Sequence, residues 1–219
     1  PEILPKEQQE ARIASITPSL EWDFRDDPLV PSRGTFSAVS VEYAFPLFDA
    51  DSRFVKLTGR TTVYGRHSHG TWSAGIRLGA IRPLGSSEDV PGNLEVPLNT
   101  RFFAGGANSH RGFDTDFLGI PGQTIDDDGN PAGGNALLLA NVEYVRPVTS
   151  LLSGVVFIDA GNVWAEPNLM DAAEIRWAAG LGIRLNTPAG PLRAEYGWKL
   201  DREPGESSGQ FFLSFGTPF

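Results

Sequence analysis

Hydrophobic and polar residues alternate along most of this chain with a period of two. The cleanest stretch runs Leu192, Ala194, Tyr196, Trp198 and Leu200 on one face, with Arg193, Glu195, Gly197 and Lys199 on the other. Just before it, Ile175, Trp177, Ala179, Leu181, Ile183 and Leu185 alternate with Arg176, Ala178, Gly180, Gly182, Arg184 and Asn186. This period sends successive side chains to opposite faces of a β-strand, so each segment presents one apolar and one polar face. Between the two, Thr187-Pro188-Ala189-Gly190-Pro191 reads as a tight turn. The same reading predicts strands over 13–24, 35–45, 53–65, 71–82, 136–146, 153–164 and 209–219, about nine in all. Most span roughly 10–13 residues, longer than the ~5–6 usual in globular sheets and near the ~9–11 that cross a bilayer when tilted. Residues 1–12 are polar and aperiodic, as expected of a leader or linker. The chain opens on Pro1, which reads as the start of a mature segment or of a piece of a longer protein.

The pattern leaves open which medium the apolar faces meet. A soluble two-layer sandwich would bury Trp22, Trp72, Trp177 and Trp198 in its core, four large rings on the apolar faces of four different strands. A membrane-spanning antiparallel β-barrel would instead set them in the aromatic girdles at the lipid interface. Mean hydropathy of −0.18 suits either, because barrel strands carry a polar lumen face. No run of ~18 apolar residues exists, which excludes a spanning helix. Lys and Arg total 18 against 27 Asp and Glu, a net charge of −9 that argues against nucleic acid as a partner. The absence of cysteine removes disulfides, thiolate metal sites and thiol nucleophiles. No nucleophile elbow, phosphate loop or zinc pattern is present, so no enzyme, cofactor or metal is expected. Asp126-Asp127-Asp128-Gly129-Asn130 superficially suggests calcium, but Leu137 stands where the EF-hand loop needs Glu, so a solvated turn is expected. His67 and His69 at a predicted hairpin turn lack an obvious third ligand.

Between the fourth and fifth strands lie residues 83–135, far longer than the ~12–15 that an ordinary structureless connection reaches. Within it stand Arg101-Phe102-Phe103-Ala104-Gly105-Gly106 and then Ser109-His110-Arg111-Gly112-Phe113. Further on come Asn141-Val142-Glu143-Tyr144-Val145-Arg146-Pro147, Phe157-Ile158-Asp159-Ala160-Gly161-Asn162-Val163, Gly180-Leu181-Gly182-Ile183-Arg184 and a last strand ending on Phe219. Near the start are Asp23-Phe24-Arg25-Asp26-Asp27-Pro28 and Pro31-Ser32-Arg33-Gly34. In this order and spacing the motifs resemble the C-terminal barrel region of the bacterial surface antigen superfamily, the outer-membrane assembly barrels of BamA and TamA type, over residues 13–219. One departure is His110, where that family usually carries Val or Ile.

The resemblance implies that 13–219 is the C-terminal part of a sixteen-stranded outer-membrane barrel, with 83–135 folded back into its lumen. It implies that Arg111, Gly112 and Phe113 form the loop's working motif, that Arg111 meets acidic residues of the wall, and that Phe219 ends the C-terminal strand signal. The pleat supplies such acids independently: Glu143 and Asp159 both lie opposite the apolar runs of adjacent strands. One guanidinium, with its planar five-donor fork, can serve both. Gly180, Gly182, Gly197 and Gly216 are expected to leave room for bending near a seam. The implied function is assembly or insertion of outer-membrane proteins through a laterally opening barrel seam. Alternatives are a polypeptide-secreting translocator pore of the same superfamily, a passive structural barrel, or a soluble sandwich. Implied partners are membrane lipids, client outer-membrane or secreted polypeptides, and further barrel strands or subunits and periplasmic domains outside this chain.

Overall fold

The computed structural model describes residues 12–47, 52–84, 96–187 and 190–218, and these form one antiparallel sheet. Its strands are β1 (Ser15–Ile16), β2 (Ser19–Asp23), β3 (Gly34–Ala44), β4 (Phe54–His67), β5 (Gly70–Pro83), β6 (Ala136–Pro147), β7 (Leu152–Trp164), β8 (Arg176–Thr187), β9 (Gly190–Lys199) and β10 (Gly209–Phe215). Each strand from β3 onward pairs with the next in sequence, a meander interrupted only by the long connection between β5 and β6. The helical content of the described residues is three single 3₁₀ turns, and no helix is long and apolar enough to cross a membrane.

The predicted first strand, 13–24, is divided in two. Pro18 has no N–H to give to a ladder, and β1 and β2 lie on either side of it, both paired with β3. The register is the same on both sides, Ile16 opposite Tyr43 and Ser19 opposite Ser40, and the Pro18 carbonyl still accepts from Val41 N at 3.1 Å. Ten strands therefore occupy nine positions across the sheet. The last strand is shorter than 209–219, ending at Phe215 before Gly216, whose φ of +87° turns the chain. Phe219 lies outside the described residues, as do residues 1–11 of the expected leader and 85–95 of the long connection. Among the described residues β10 and the β1–β2 strand form two free edges, with no pairing between them.

The two faces differ as the alternation requires. The outer face exposes Leu57, Ile76, Leu78, Val142, Ile158, Leu181, Ile183 and Leu213, together with Trp22, Trp72, Trp177 and Trp198 at 39–46% exposure. Among the described residues no second sheet covers them, which removes the two-layer sandwich. An apolar band spread over every strand is far beyond the few hundred Å² that a water-facing surface carries and suits a hydrocarbon medium. The buried hydrophobic cluster lies on the opposite, inner face. Phe54, Ile81, Leu137, Leu139 and Val163 of the strands pack there against Val96, Phe102, Ala104, Phe113 and Leu118 of the long connection. The core is thus a contact between a wall and its own folded-in loop.

Candidate functional site

Residues 96–135 are held in shape by polar groups of their own and by Lys56 of the wall. The Arg101 guanidinium donates to the carbonyls of Val96 and Ala132, both at 2.9 Å, and Phe102 bridges to Gly134. Lys56 of β4 donates from Nζ to the Thr100 carbonyl at 2.6 Å and sits 4.7 Å from the centre of the Phe102 ring. The chain then doubles back: Gly106 N donates to the Phe113 carbonyl at 3.0 Å, and Phe113 N to the His110 carbonyl at 3.2 Å. Gly105 has φ +111°, and a Cβ there would fall 2.1 Å from the Asp114 oxygen, so the reversal requires glycine. Arg111 projects from the tip of this turn onto the inner wall.

The wall receives it with three carboxylates from three strands. Asp159 of β7 accepts from Arg111 Nε at 2.9 Å, from Nη2 at 2.8 Å and from the backbone N at 2.9 Å. Glu143 of β6 accepts from Nη1 at 3.0 Å, and Glu195 of β9 accepts from the same nitrogen at 3.3 Å. The guanidinium carbon also stands 3.5 Å from the centre of the Phe157 ring. Arg111 is 1% exposed and Asp159 0%. Burial alone would lower the Arg111 pKa, but the hydrogen bonds and charge of Asp159, with Glu143 and Glu195 behind it, raise it above its ordinary value. The loop therefore carries a permanent cation to the wall.

The sequence pointed to Glu143 and Asp159 as inward acids, and the structure brings both to Arg111. Three further charged residues complete the cluster. Arg184 of β8 holds Glu143 in a two-pronged contact, Nη1 to Oε1 at 2.8 Å and Nη2 to Oε2 at 2.6 Å, and also reaches Glu195 at 2.8 Å. Arg193 of β9 touches Glu195 at 3.5 Å and donates to the Asn108 side chain and the Ala107 carbonyl of the loop. Asn141 of β6 donates from one amide nitrogen to both Asp159 and the Ser109 carbonyl, each at 2.8 Å. Glu195, Arg184 and Arg193 stand on the polar side of the alternation, which was the available signal. What alternation leaves unspecified is the curl of the sheet that brings β9 within reach of a loop resting on β6 and β7.

Small residues on the wall make the fit possible. A Cβ at Gly197 would lie 2.2 Å from the Arg111 carbonyl oxygen, so the loop backbone rests directly on β9. Gly180, opposite Phe157 in register, leaves the space that the Phe157 ring fills. Gly180, Gly182 and Gly197 are thus occupied by side chains and loop backbone rather than left as slack for bending; around Gly216 the space is open. Gly112 also lies close to Ala178 of β8, its built Cβ falling 2.7 Å from the alanine Cβ. Phe113, 4% exposed, enters the core cluster, with Lys199 Nζ 4.2 Å and the Arg176 guanidinium 4.9 Å from its ring centre. His110 is fully buried, packed edge-on to Phe113 with centroids 5.2 Å apart and its Nε2 3.1 Å from the Arg176 carbonyl. Imidazole thus packs at the position where the sequence departs from the Val or Ile of the family it resembles.

The other sequence candidates lie elsewhere. Asp126 accepts from the backbone N of Asp128 and Asn130 in an exposed turn. His67 opens the β4–β5 hairpin, in which Ser68 takes φ +46°. No group of three His, Asp or Glu among the described residues is placed to hold a metal.

The chain's similarity to known proteins is extensive. The Omp85 superfamily domain matches residues 5–219. The outer membrane protein assembly factor BamA of Nitratidesulfovibrio vulgaris is 27% identical over 231 residues, covering 98% of this chain and 27% of the relative. BamA of Neisseria meningitidis serogroup B is 24% identical, over 89% of this chain and 27% of that protein. Outer envelope protein 80 of Arabidopsis chloroplasts is 25% identical, over 83% and 22% respectively. Among solved structures, BamA from Haemophilus ducreyi lacking POTRA domains 1–3 superposes with a TM-score of 0.72 at 21% identity, over 90% of this chain and 41% of that one. The chain spans about a quarter of the length of the BamA relatives it matches.

Proposed function

Since the chain belongs to the Omp85 superfamily and is an outer-membrane β-barrel protein, we propose that it is the C-terminal barrel region of an outer-membrane protein assembly factor. Residues 13–219 are read as the last part of a sixteen-stranded barrel. Further strands, and the periplasmic domains that would receive clients, belong to the rest of such a protein. The free edges support this reading: unpaired backbone groups in lipid cost several kcal/mol each, so strands from elsewhere must complete the sheet. No covalent chemistry is involved. Clients are unfolded outer-membrane polypeptides, and the barrel works by offering a strand edge at a seam that opens laterally, a form of β-augmentation.

In this reading Arg111, Gly112 and Phe113 are positioning residues. The observation that carries the proposal is the Arg111 guanidinium, clamped at once by Asp159, Glu143 and Glu195 from three strands. A wall that must open at one seam needs bracing elsewhere, and a charged loop tip tying β6, β7 and β9 provides it on the inner side. Assembly factors are favoured over a secretion pore because the two BamA relatives carry that name. The test is reconstitution of the full-length protein in liposomes with an unfolded outer-membrane barrel as client, reading insertion by protease protection. Faster insertion than into empty liposomes, reduced by Arg111→Ala, is expected. Passage of a client into the liposome interior without insertion would instead identify a translocator, and no effect on either would leave a passive barrel.

A further inference from the structure

On β4 and β5 the inner wall carries a second pair of arginines, which among the described residues has no salt-bridged counter-charge. Arg60 of β4 and Arg77 of β5 are directly opposite in the register, on the inner face. Like charges so placed, with Cβ atoms ~4.5–5.5 Å apart, repel unless something between them is negative. Among the described residues neither forms an ion pair, whereas Arg176, Arg184 and Arg193 on the same face, and Arg111 of the loop, all do. Both line a pocket of about 280 Å³ with Arg25, Thr62, Tyr64 and Asn141.

The remaining charges of the pocket do not neutralise the pair. Asp23 is taken by Arg25, which donates to it from Nε at 2.8 Å and Nη2 at 2.7 Å. Glu21 also lines the pocket, in the same cross-strand row as Arg60 but separated from it by Ala38, and makes no salt bridge. One positive charge is left over. Phe36 steadies the arrangement from the side, with the Arg60 and Arg25 guanidinium carbons 4.7 and 4.8 Å from its ring centre. Two forked donors lining one pocket, one of them resting on an aromatic face, suit an oxyanion with several acceptor atoms rather than a monatomic anion.

We infer that the Arg60–Arg77 pair is a binding site for a small, multiply charged oxyanion such as phosphate. The pair lies on the face opposite the apolar band, so its ligand is a solute of the aqueous lumen and not a lipid headgroup. The inference rests on the wall alone and stands apart from the assembly function.

The experiment uses the full-length protein in uncharged detergent micelles, with sodium phosphate compared against sodium chloride at matched ionic strength. Phosphate is expected to raise the thermal midpoint beyond chloride. Arg60→Gln and Arg77→Gln should each weaken the apparent phosphate affinity by roughly tenfold, the scale of one charge-assisted hydrogen bond. In chloride alone Arg77→Gln should melt no lower than the parent, since it relieves repulsion. Equal effects of phosphate and chloride, or a phosphate effect unchanged in both variants, would overturn the assignment. So would an Arg77→Gln protein that melts lower in chloride and ignores phosphate, because a carboxylate of the protein would then fill the pair.

Discussion

The inner wall holds two arginine pairs set directly across neighbouring strands, Arg184 with Arg193 on β8 and β9 and Arg60 with Arg77 on β4 and β5. The backbone geometry is alike and the surroundings are opposite. Arg184 and Arg193 are 5% and 0% exposed, sealed under the loop and matched by Glu143, Glu195 and the Asn108 side chain. Arg60 is exposed and Arg77 half-buried, in a pocket lined by the wall and Arg25, and among the described residues neither makes a salt bridge. Water can screen the second pair, and a dry interior cannot screen the first. Counter-charges are therefore built in where the loop excludes water and left out where the lumen stays wet. One part of the wall is a socket for the loop, and the other lines a pocket walled by β2 to β6 and Arg25.

That contrast is most sharply broken at Arg111. Arg111→Ala removes the one cation that the loop contributes to three buried carboxylates and should cost about 3–5 kcal/mol in folding titrations. Arg60→Ala on the open side, an exposed position, should stay within about 0.5 kcal/mol in chloride buffer. Equal losses at the two would mean the halves are not different in kind. Between inner and outer faces, Leu181→Lys in mid-β8 should cost about 2–4 kcal/mol if its side chain lies in hydrocarbon. Ser40→Lys on the inner face of β3 should be close to neutral. A neutral Leu181→Lys in lipid-bilayer folding titrations would contradict the lipid-facing assignment.

Glycines also differ between the two parts of the wall. Gly197→Ala would put a methyl 2.2 Å from the Arg111 carbonyl, and forcing the loop outward should cost about 1–3 kcal/mol. Gly59→Ala on β4 meets only the Val39 side chain at 3.6 Å, an ordinary contact, and should be tolerated. The smallest effect expected concerns pH. Burial lowers the His110 pKa below its ordinary 6.5 against the opposing pull of Asp159, so the docked loop holds this imidazole neutral. The unfolded chain then binds more protons below pH 6.5, and stability falls as pH drops from there through the depressed folded value. Protease accessibility of the loop should rise across that window in the parent and stay flat in His110→Val.

Much of this architecture was legible in the alternation. It assigned Trp177, Leu181 and Ile183 to one face and Arg176, Arg184, Glu143 and Asp159 to the other, and the structure keeps that division. The strand spans followed as well, except that Pro18 breaks the first and the last ends at Phe215. Less could be read of how far the sheet curls. Period two gives the face of a residue but says nothing of its distance from one three strands away, so Glu195 on β9 could not be joined to Glu143 on β6. The glycines of β8 and β9 illustrate the same limit. Without knowing that Phe157 and the Arg111 backbone fill their space, missing side chains read as looseness, when here they are the mark of close contact.

The most direct test of the docked loop uses the natural lack of cysteine. Gly112 and Ala178 bring Cβ positions to 2.7 Å, and a shift of about 1 Å reaches the separation a disulfide needs. Gly112→Cys with Ala178→Cys in the full-length protein, oxidised in intact outer membranes, should give a single fast-migrating crosslinked species that reduction abolishes. The control pair Gly112→Cys with Thr58→Cys, placed on the open side, should stay reduced. Crosslinking of the control as readily as of the Ala178 pair, or of neither, would contradict a loop seated on β8 and β9.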